Sequence, residues 1–250
     1  MSLLRKLLPL CLVSTLTVAA PTCALADVSV TTGAGYIPLV KQLVSVCRAD
    51  VKGSVSESYG GNLGQMIAQI SSGSGVNVVI TDLSTLEALR TPVKFSVRQR
   101  LGDTPLMLVW RKGLQLKTPE DLARDDVKRI VHPDARAAVY GRAGAEWVRS
   151  RDEAFREQIE PRLMQVAGVP QVMSFVLRGE ADAGFVNRLA ANKNRDKLGG
   201  MMEIKNGYAP ITMTAAVVDG AQDDPAVQSF LGCLNSDKVS GIFRKAGIRR

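Results

Sequence analysis

Residues 28–40 read VSVTTGAGYIPLV and decide the fold class. They predict a short buried strand, a turn through Gly33 and Gly35, and an amphipathic helix whose apolar positions are Leu39, Val40, Leu43, Val44 and Cys47. A strand that turns through glycine into a helix aims the N–H groups of Gly33, Ala34, Gly35 and Tyr36 outward. They stand at a helix N-terminus, where the partial positive charge favours an anion. The turn is therefore expected to form one part of a ligand clamp.

The same pattern follows at once. Val51–Ser58 reads as a second strand, Tyr59-Gly60-Gly61-Asn62 as a turn, and Leu63, Met66, Ile67 and Ile70 as the apolar face of a helix. Val76–Ile80 is a buried parallel strand, Leu83–Leu89 a short helix, Phe95–Leu101 an extended segment and Pro105–Trp110 a strand. Thr118-Pro119 marks a helix start. Arg129–Val131 is a strand leading through His132-Pro133-Asp134-Ala135-Arg136-Ala137 into a helix over 138–150, with another helix over 152–160. A short strand at Val166-Ala167 precedes Gly168-Val169-Pro170, which opens the helix Gln171–Arg178. Ala183–Val186 is a strand ending at Asn187, Ile211–Val218 a long apolar strand, and Pro225–Asn235 and Val239–Ala246 close the chain as helices. Alternating strands and helices specify an α/β protein with mostly parallel sheets. Such folds bind ligands at the C-terminal ends of strands, where the turns around residues 35, 60, 137 and 169 all lie.

Composition narrows the function classes. The chain has 250 residues, 46% hydrophobic and 22% charged, enough for one large core or two smaller ones. Arg5 and Lys6, the apolar run Leu7–Val18 and Ala24-Leu25-Ala26 read as a secretory signal cleaved before Asp27. The competing membrane anchor is disfavoured, because a span needs about 20 apolar residues and this run contains Pro9. Lipidation at Cys23 is a poorer match still. Losing the signal takes two charges from the formal +8 and leaves +6. The remaining positives are scattered without interleaved aromatics, which argues against nucleic-acid binding, while a mild basic bias suits attraction of small anions. Cys11 and Cys23 leave with the signal. Cys47 and Cys233 then meet an oxidising compartment, either as one disulfide or as two separate buried thiols.

No catalytic constellation stands out. Pro38 occupies the place of the third glycine in a dinucleotide fingerprint, and His132, the only histidine, has no Gly-x-Ser-x-Gly partner motif. No Cys/His/carboxylate cluster has metal-ligand spacing, so neither metal nor cofactor is expected and the chain reads as a non-enzyme.

With these turns in hand, the chain resembles the exported substrate-binding proteins of molybdate and related oxyanion ABC importers. The similarity spans VSVTTGAGY, SYGGNLGQMIAQISSG with VNVVITD, TPEDLA, HPDARAAVYGRAGAEWV, VPQVMSFVLRGEADAGFV and the ending FLGCLNSDKVSGIFRKAGI; RGEADAGFV is its most specific piece. The resemblance implies a two-lobed periplasmic-binding fold, each lobe a mostly parallel sheet flanked by helices, that closes on ligand. One lobe would hold residues 27–107 and 212–250 and the other 108–211, with hinge strands near Leu106–Trp110 and Ile211–Ala215.

It also implies a ligand set. Family hydroxyls at the first two turns fall on Gly35 and Gly60, a backbone donor falls on Ala137 beside Arg136, another on Val169, and a tyrosine hydroxyl on Asn187. Glycine removes a hydroxyl but leaves the N–H, so the expected ligand is a molybdate-like oxyanion or a divergent small anion. Tyr36, Tyr59, Gly61 and Asn62 would flank it. Arg136 either pairs with a carboxylate, sulfonate or phosphonate or is a solvated loop charge. The implied partner is an ABC permease in the inner membrane, and the implied state a monomer in the periplasm. A sensor-coupled binding protein and an exported enzyme using the same cleft are the alternatives.

Overall fold

The computed structural model describes residues 27–250; the signal-peptide expectation for 1–26 lies outside them. In chain order the strands are β1 (Asp27–Thr32), β2 (Ser54–Glu57), β3 (Val78–Asp82), β4 (Phe95–Thr104), β5 (Leu106–Trp110), β6 (Ile130–Pro133), β7 (Leu163–Val166), β8 (Ala183–Asn187), β9 (Gly200–Ile204) and β10 (Ile211–Val218). The helices are α1 (Ile37–Cys47), α2 (Leu63–Ser71), α3 (Leu83–Ala88), α4 (Val139–Arg149), α5 (Glu153–Ile159), α6 (Val169–Leu177), α7 (Arg188–Lys193), α8 (Pro225–Leu234) and α9 (Ser240–Ala246).

Two five-stranded sheets result, ordered β2-β1-β3-β10-β4 and β7-β6-β8-β5-β9. In each, three strands pair in parallel and the fourth, β10 or β5, pairs antiparallel on both sides. Four of the five strands thus share one direction, as the alternation of strands and helices predicts. The chain passes between sheets twice, at Thr104–Leu106 and from Ile204 to Ile211. Leu106 and Met107 pair with Asn187 and Val186, so they belong to the second sheet, although the sequence expectation grouped them with the first lobe. Tyr208 ties the crossings together: its hydroxyl accepts the N–H of Leu106 at 3.0 Å and donates to the carbonyl of Ile204 at 2.8 Å.

Most helix starts have a local cause, a side-chain cap or a proline in the first turn. Pro38 lies in the first turn of α1, where a missing N–H costs nothing. Asn62 caps α2 in a reciprocal box with Gln65, both bonds 3.0 Å. The apolar stripe Leu39, Val40, Leu43, Val44 and Cys47 is buried, and Cys47 is bonded to Cys233 of α8, settling the alternative left open by the sequence. In the second lobe Trp147 anchors the core against Phe155 and Phe185, with ring centroids 5.6 and 5.7 Å away.

Two elements escape the sequence reading. Edge strand β9 carries Met201-Met202-Glu203 in place of β-branched residues and stays half-buried. Helix α7 is short and is capped by Asn187. Strand β7 also ends at Val166, where the sequence expectation began its strand.

Candidate functional site

Four helix starts converge between the sheets. Gly35 and Tyr36 precede α1, Asn62 and Leu63 open α2, Val139 and Tyr140 open α4, and Val169 opens α6. All of them line one cavity of about 50 Å³, with Ile80 and Thr81 of β3 contributing another wall. The cavity is lined chiefly by small or apolar side chains, and no charged side chain lines it.

Its electrostatics come from backbone. The first N–H groups of a helix have no intrahelical partner. Here those of Gly35, Val139, Tyr140 and Val169 also have none elsewhere among the described residues. By contrast, Ala34 donates to the Gly61 carbonyl at 3.1 Å, and Leu63 donates across the cleft to the Ala137 carbonyl at 3.0 Å. Four free donors at helix N-termini therefore surround a space empty of counter-charge, an arrangement suited to an anion.

The side chains add two phenols. Tyr36 and Tyr140 are buried, and their hydroxyls meet across the cleft, with the Thr104 hydroxyl 3.4 Å from that of Tyr140. Burial pushes the Tyr36 phenol far above its ordinary range; a hydrogen bond with Thr104 opposes that shift and the charge of Asp82 adds to it. The phenol is a neutral donor at any physiological pH. Tyr140 was not singled out in the sequence. Its signal was available, since it follows a helix-start donor, Val139, as Tyr36 follows Gly35.

Of the residues expected to bind ligand, Gly35, Tyr36, Gly61, Asn62, Ala137 and Val169 come together in the cavity wall. The N–H of Ala137 is directed at the Asp134 carboxylate, 3.1 Å away. Tyr59, Gly60, Arg136 and Asn187 are not part of that wall. Tyr59 donates to Glu57 at 2.5 Å, and Arg136 is exposed. A Cβ on Gly60 would meet Met66 at 2.8 Å. Asn187 is fully buried: its Oδ1 caps α7 by accepting from Ala190 at 2.7 Å, while its Nδ2 donates across the cleft to the Gly35 carbonyl at 3.0 Å. Its amide holds the first turn. His132 lies elsewhere, beside a cavity of about 20 Å³ under α4. No group of three or more His, Cys, Asp or Glu able to hold a metal occurs among the described residues.

Residues 28–249 match the family described as bacterial extracellular solute-binding protein. The chain belongs to that family. This solute-binding protein is 25% identical over 228 residues to the molybdate-binding protein ModA of Azotobacter vinelandii, covering 89% of each chain. Its fold matches the periplasmic molybdate-binding protein of Azotobacter vinelandii with a TM-score of 0.73 at 22% identity, over 89% of this chain and 99% of that one. It matches the L-phospholactate-bound PEB3, a protein of Campylobacter jejuni, with a TM-score of 0.73 at 19% identity, over 90% and 100% of the two chains.

Proposed function

We infer that this protein captures a small tetrahedral oxyanion of the molybdate type between its lobes in the periplasm and presents it to an ABC permease in the inner membrane. The observation that carries the reading is the convergence of four helix N-termini, three of them with unpartnered N–H groups, on a cavity without charged side chains. Such donors stabilise a dehydrated anion without a counter-ion.

Size narrows the ligand. A cavity needs roughly 10–15 Å³ of such volume per water-sized group. About 50 Å³ thus suits a handful of oxygens around one centre. A phosphorylated organic acid would need the lobes to stand further apart. The wall contains no carboxylate to accept a proton from the ligand, which favours fully deprotonated dianions. The relative named as molybdate-binding and the two-lobed architecture support the same choice. In this reading the lobes are the two sheets with their helices, and they rotate about the paired crossings at Thr104–Leu106 and Ile204–Ile211.

A thermal-shift screen of molybdate, tungstate, sulfate, phosphate, phosphonates, L-phospholactate and small carboxylates tests it. A bound anion at a hundredfold excess over its dissociation constant adds about 2.7 kcal/mol of stability. Molybdate, tungstate or sulfate should raise the melting temperature, and L-phospholactate should not. If none of the inorganic oxyanions moves it, the reading falls.

A further inference from the structure

Beside the anion cavity, towards the second crossing segment, lies a buried ionic network that joins the two lobes. Arg142, carried by α4 of the second lobe, is only 8% exposed, and Asp82, at the end of β3 in the first, is 0% exposed. Arg142 Nη2 donates to Asp82 Oδ2 at 3.0 Å, Nε donates to the Thr85 hydroxyl at 3.1 Å, and Nη1 donates to Glu146 at 2.8 Å. The N–H and hydroxyl of Thr85 donate to Asp82 Oδ2 at 2.8 and 2.7 Å, and the Thr212 N–H donates to Oδ1 at 2.9 Å. Glu146 in turn accepts the Ala209 N–H at 2.9 Å.

Stability alone is a weak reason to bury such a pair, because well-packed apolar residues usually do as well. Position supplies a better one. Asp82 directly follows Thr81, which lines the cavity, and its negative charge contributes to the raised pKa of Tyr36 in the cavity wall. A buried carboxylate therefore stands next to the anion site with the sign that repels its ligand.

We propose that Arg142 is a positioning residue for anion binding, whose guanidinium reaches across the cleft and cancels the charge of Asp82 beside the cavity. It acts through Asp82, since Arg142 is not itself part of the cavity wall. Glu146 and Thr85 hold the guanidinium aimed at its target. The cation and the carboxylate belong to different lobes, so opening the cleft draws the cation away and bares the carboxylate, which favours release of the anion. This inference rests on reading the cavity as an anion site and names the group that sets its charge.

The test is calorimetric titration of molybdate and sulfate into the full-length mature protein and three variants. Arg142→Met should weaken anion binding by about tenfold or more, the scale of an uncompensated unit charge acting through an effective dielectric near 20. Asp82→Asn, which keeps an acceptor for the Thr85 N–H, should tighten it. The double variant Asp82→Asn/Arg142→Met should return to within about threefold of wild type, since it takes away one charge of each sign and leaves the network, with Glu146, at its wild-type net charge. A purely structural network predicts instead that all three variants weaken binding, the double most. That outcome, or Asp82→Asn leaving affinity unchanged, overturns the proposal. Should Arg142→Met fail to fold, the opposite signs expected for Asp82→Asn decide the matter alone. Wild-type protein that binds neither anion would refute the oxyanion reading and this inference with it; wild-type binding with the wrong variant pattern refutes only this inference.

Discussion

The two lobes share one plan and reach it with different residues. Each sheet sets an antiparallel strand, the first strand after a crossing, between the parallel core and the strand that precedes a crossing. Each sends two helix N-termini into the cleft. The first lobe does so through Gly33-Ala34-Gly35 and Gly60-Gly61, and the Ala34 to Gly61 hydrogen bond joins its two turns directly. The second uses Ala137-Ala138-Val139 and Gly168-Val169. Asp134 shapes its longer turn by accepting the Arg136 and Ala137 N–H groups at 2.7 and 3.1 Å. The lobes also differ in what secures their cores: a disulfide in the first, and the Trp147 aromatic cluster in the second. A site built from backbone donors is thus indifferent to side-chain identity as long as the helix start is held in place. It is sensitive to anything that alters how closely the two lobes meet.

The largest effect that probes this difference is removal of the disulfide. Cys47 and Cys233 are 186 residues apart in sequence, so the chain-entropy account sets an upper bound of about 5 kcal/mol on their contribution. Cys47→Ser/Cys233→Ser should lower stability towards that bound, and scanning calorimetry should resolve a first-lobe transition that moves while the Trp147-centred transition stays. A single transition that shifts as a whole would mean that the lobes unfold as one unit.

A smaller effect comes from the contact between the lobes at the first turn. A Cβ on Gly35 would stand 3.0 Å from Asn187 Nδ2 and 3.4 Å from Val169 Cβ, so any side chain there pushes against the opposite lobe. Gly35→Val should weaken anion binding by about tenfold or more, or about 1.4 kcal/mol, with little change in unfolding midpoint. Ala137→Gly, on the other side of the cleft, should change affinity by less than about threefold, because its N–H is already directed at Asp134. Titration calorimetry compares the two; equal losses would mean that closeness of the lobes is not what Gly35 provides.

These residues also mark how far the sequence could be read. The α/β alternation, the four turns and most helix starts were legible, since strand-turn-helix periodicity and Pro or Asn at helix starts are local signals. The division of labour inside the cleft was not. The family resemblance places Asn187 among the ligand donors, yet it caps α7 and clasps Gly35, a contact 152 residues away in sequence that no local pattern encodes. Neither Tyr140 nor Arg142 is singled out in the sequence; their roles emerge only when the Tyr140 hydroxyl is placed against Tyr36 and the Arg142 guanidinium against Asp82. Long-range pairings of this kind depend on how the second lobe docks, which strand and helix periods do not specify.

The smallest effect separates the lobes by pH. His132 stands in the second lobe against Gly144, Val148, Leu163 and Phe185. Burial depresses its pKa below the ordinary 6.5, outweighing the opposing influence of the Pro133 backbone and of Asp134. The unfolded chain therefore takes up a proton at a pH where the folded chain does not, and stability must fall as pH drops below about 6.5. It is the only histidine, so between about pH 5 and 6.5, above the usual range of carboxylates, it is the side chain expected to supply most of this slope. His132→Gln should flatten the dependence of the urea midpoint on pH in that window. In a protein whose lobes unfold separately, the flattening should be confined to the second-lobe transition. A slope that persists in the variant, or one that appears in the first-lobe transition, would mean that a group other than His132 is titrating.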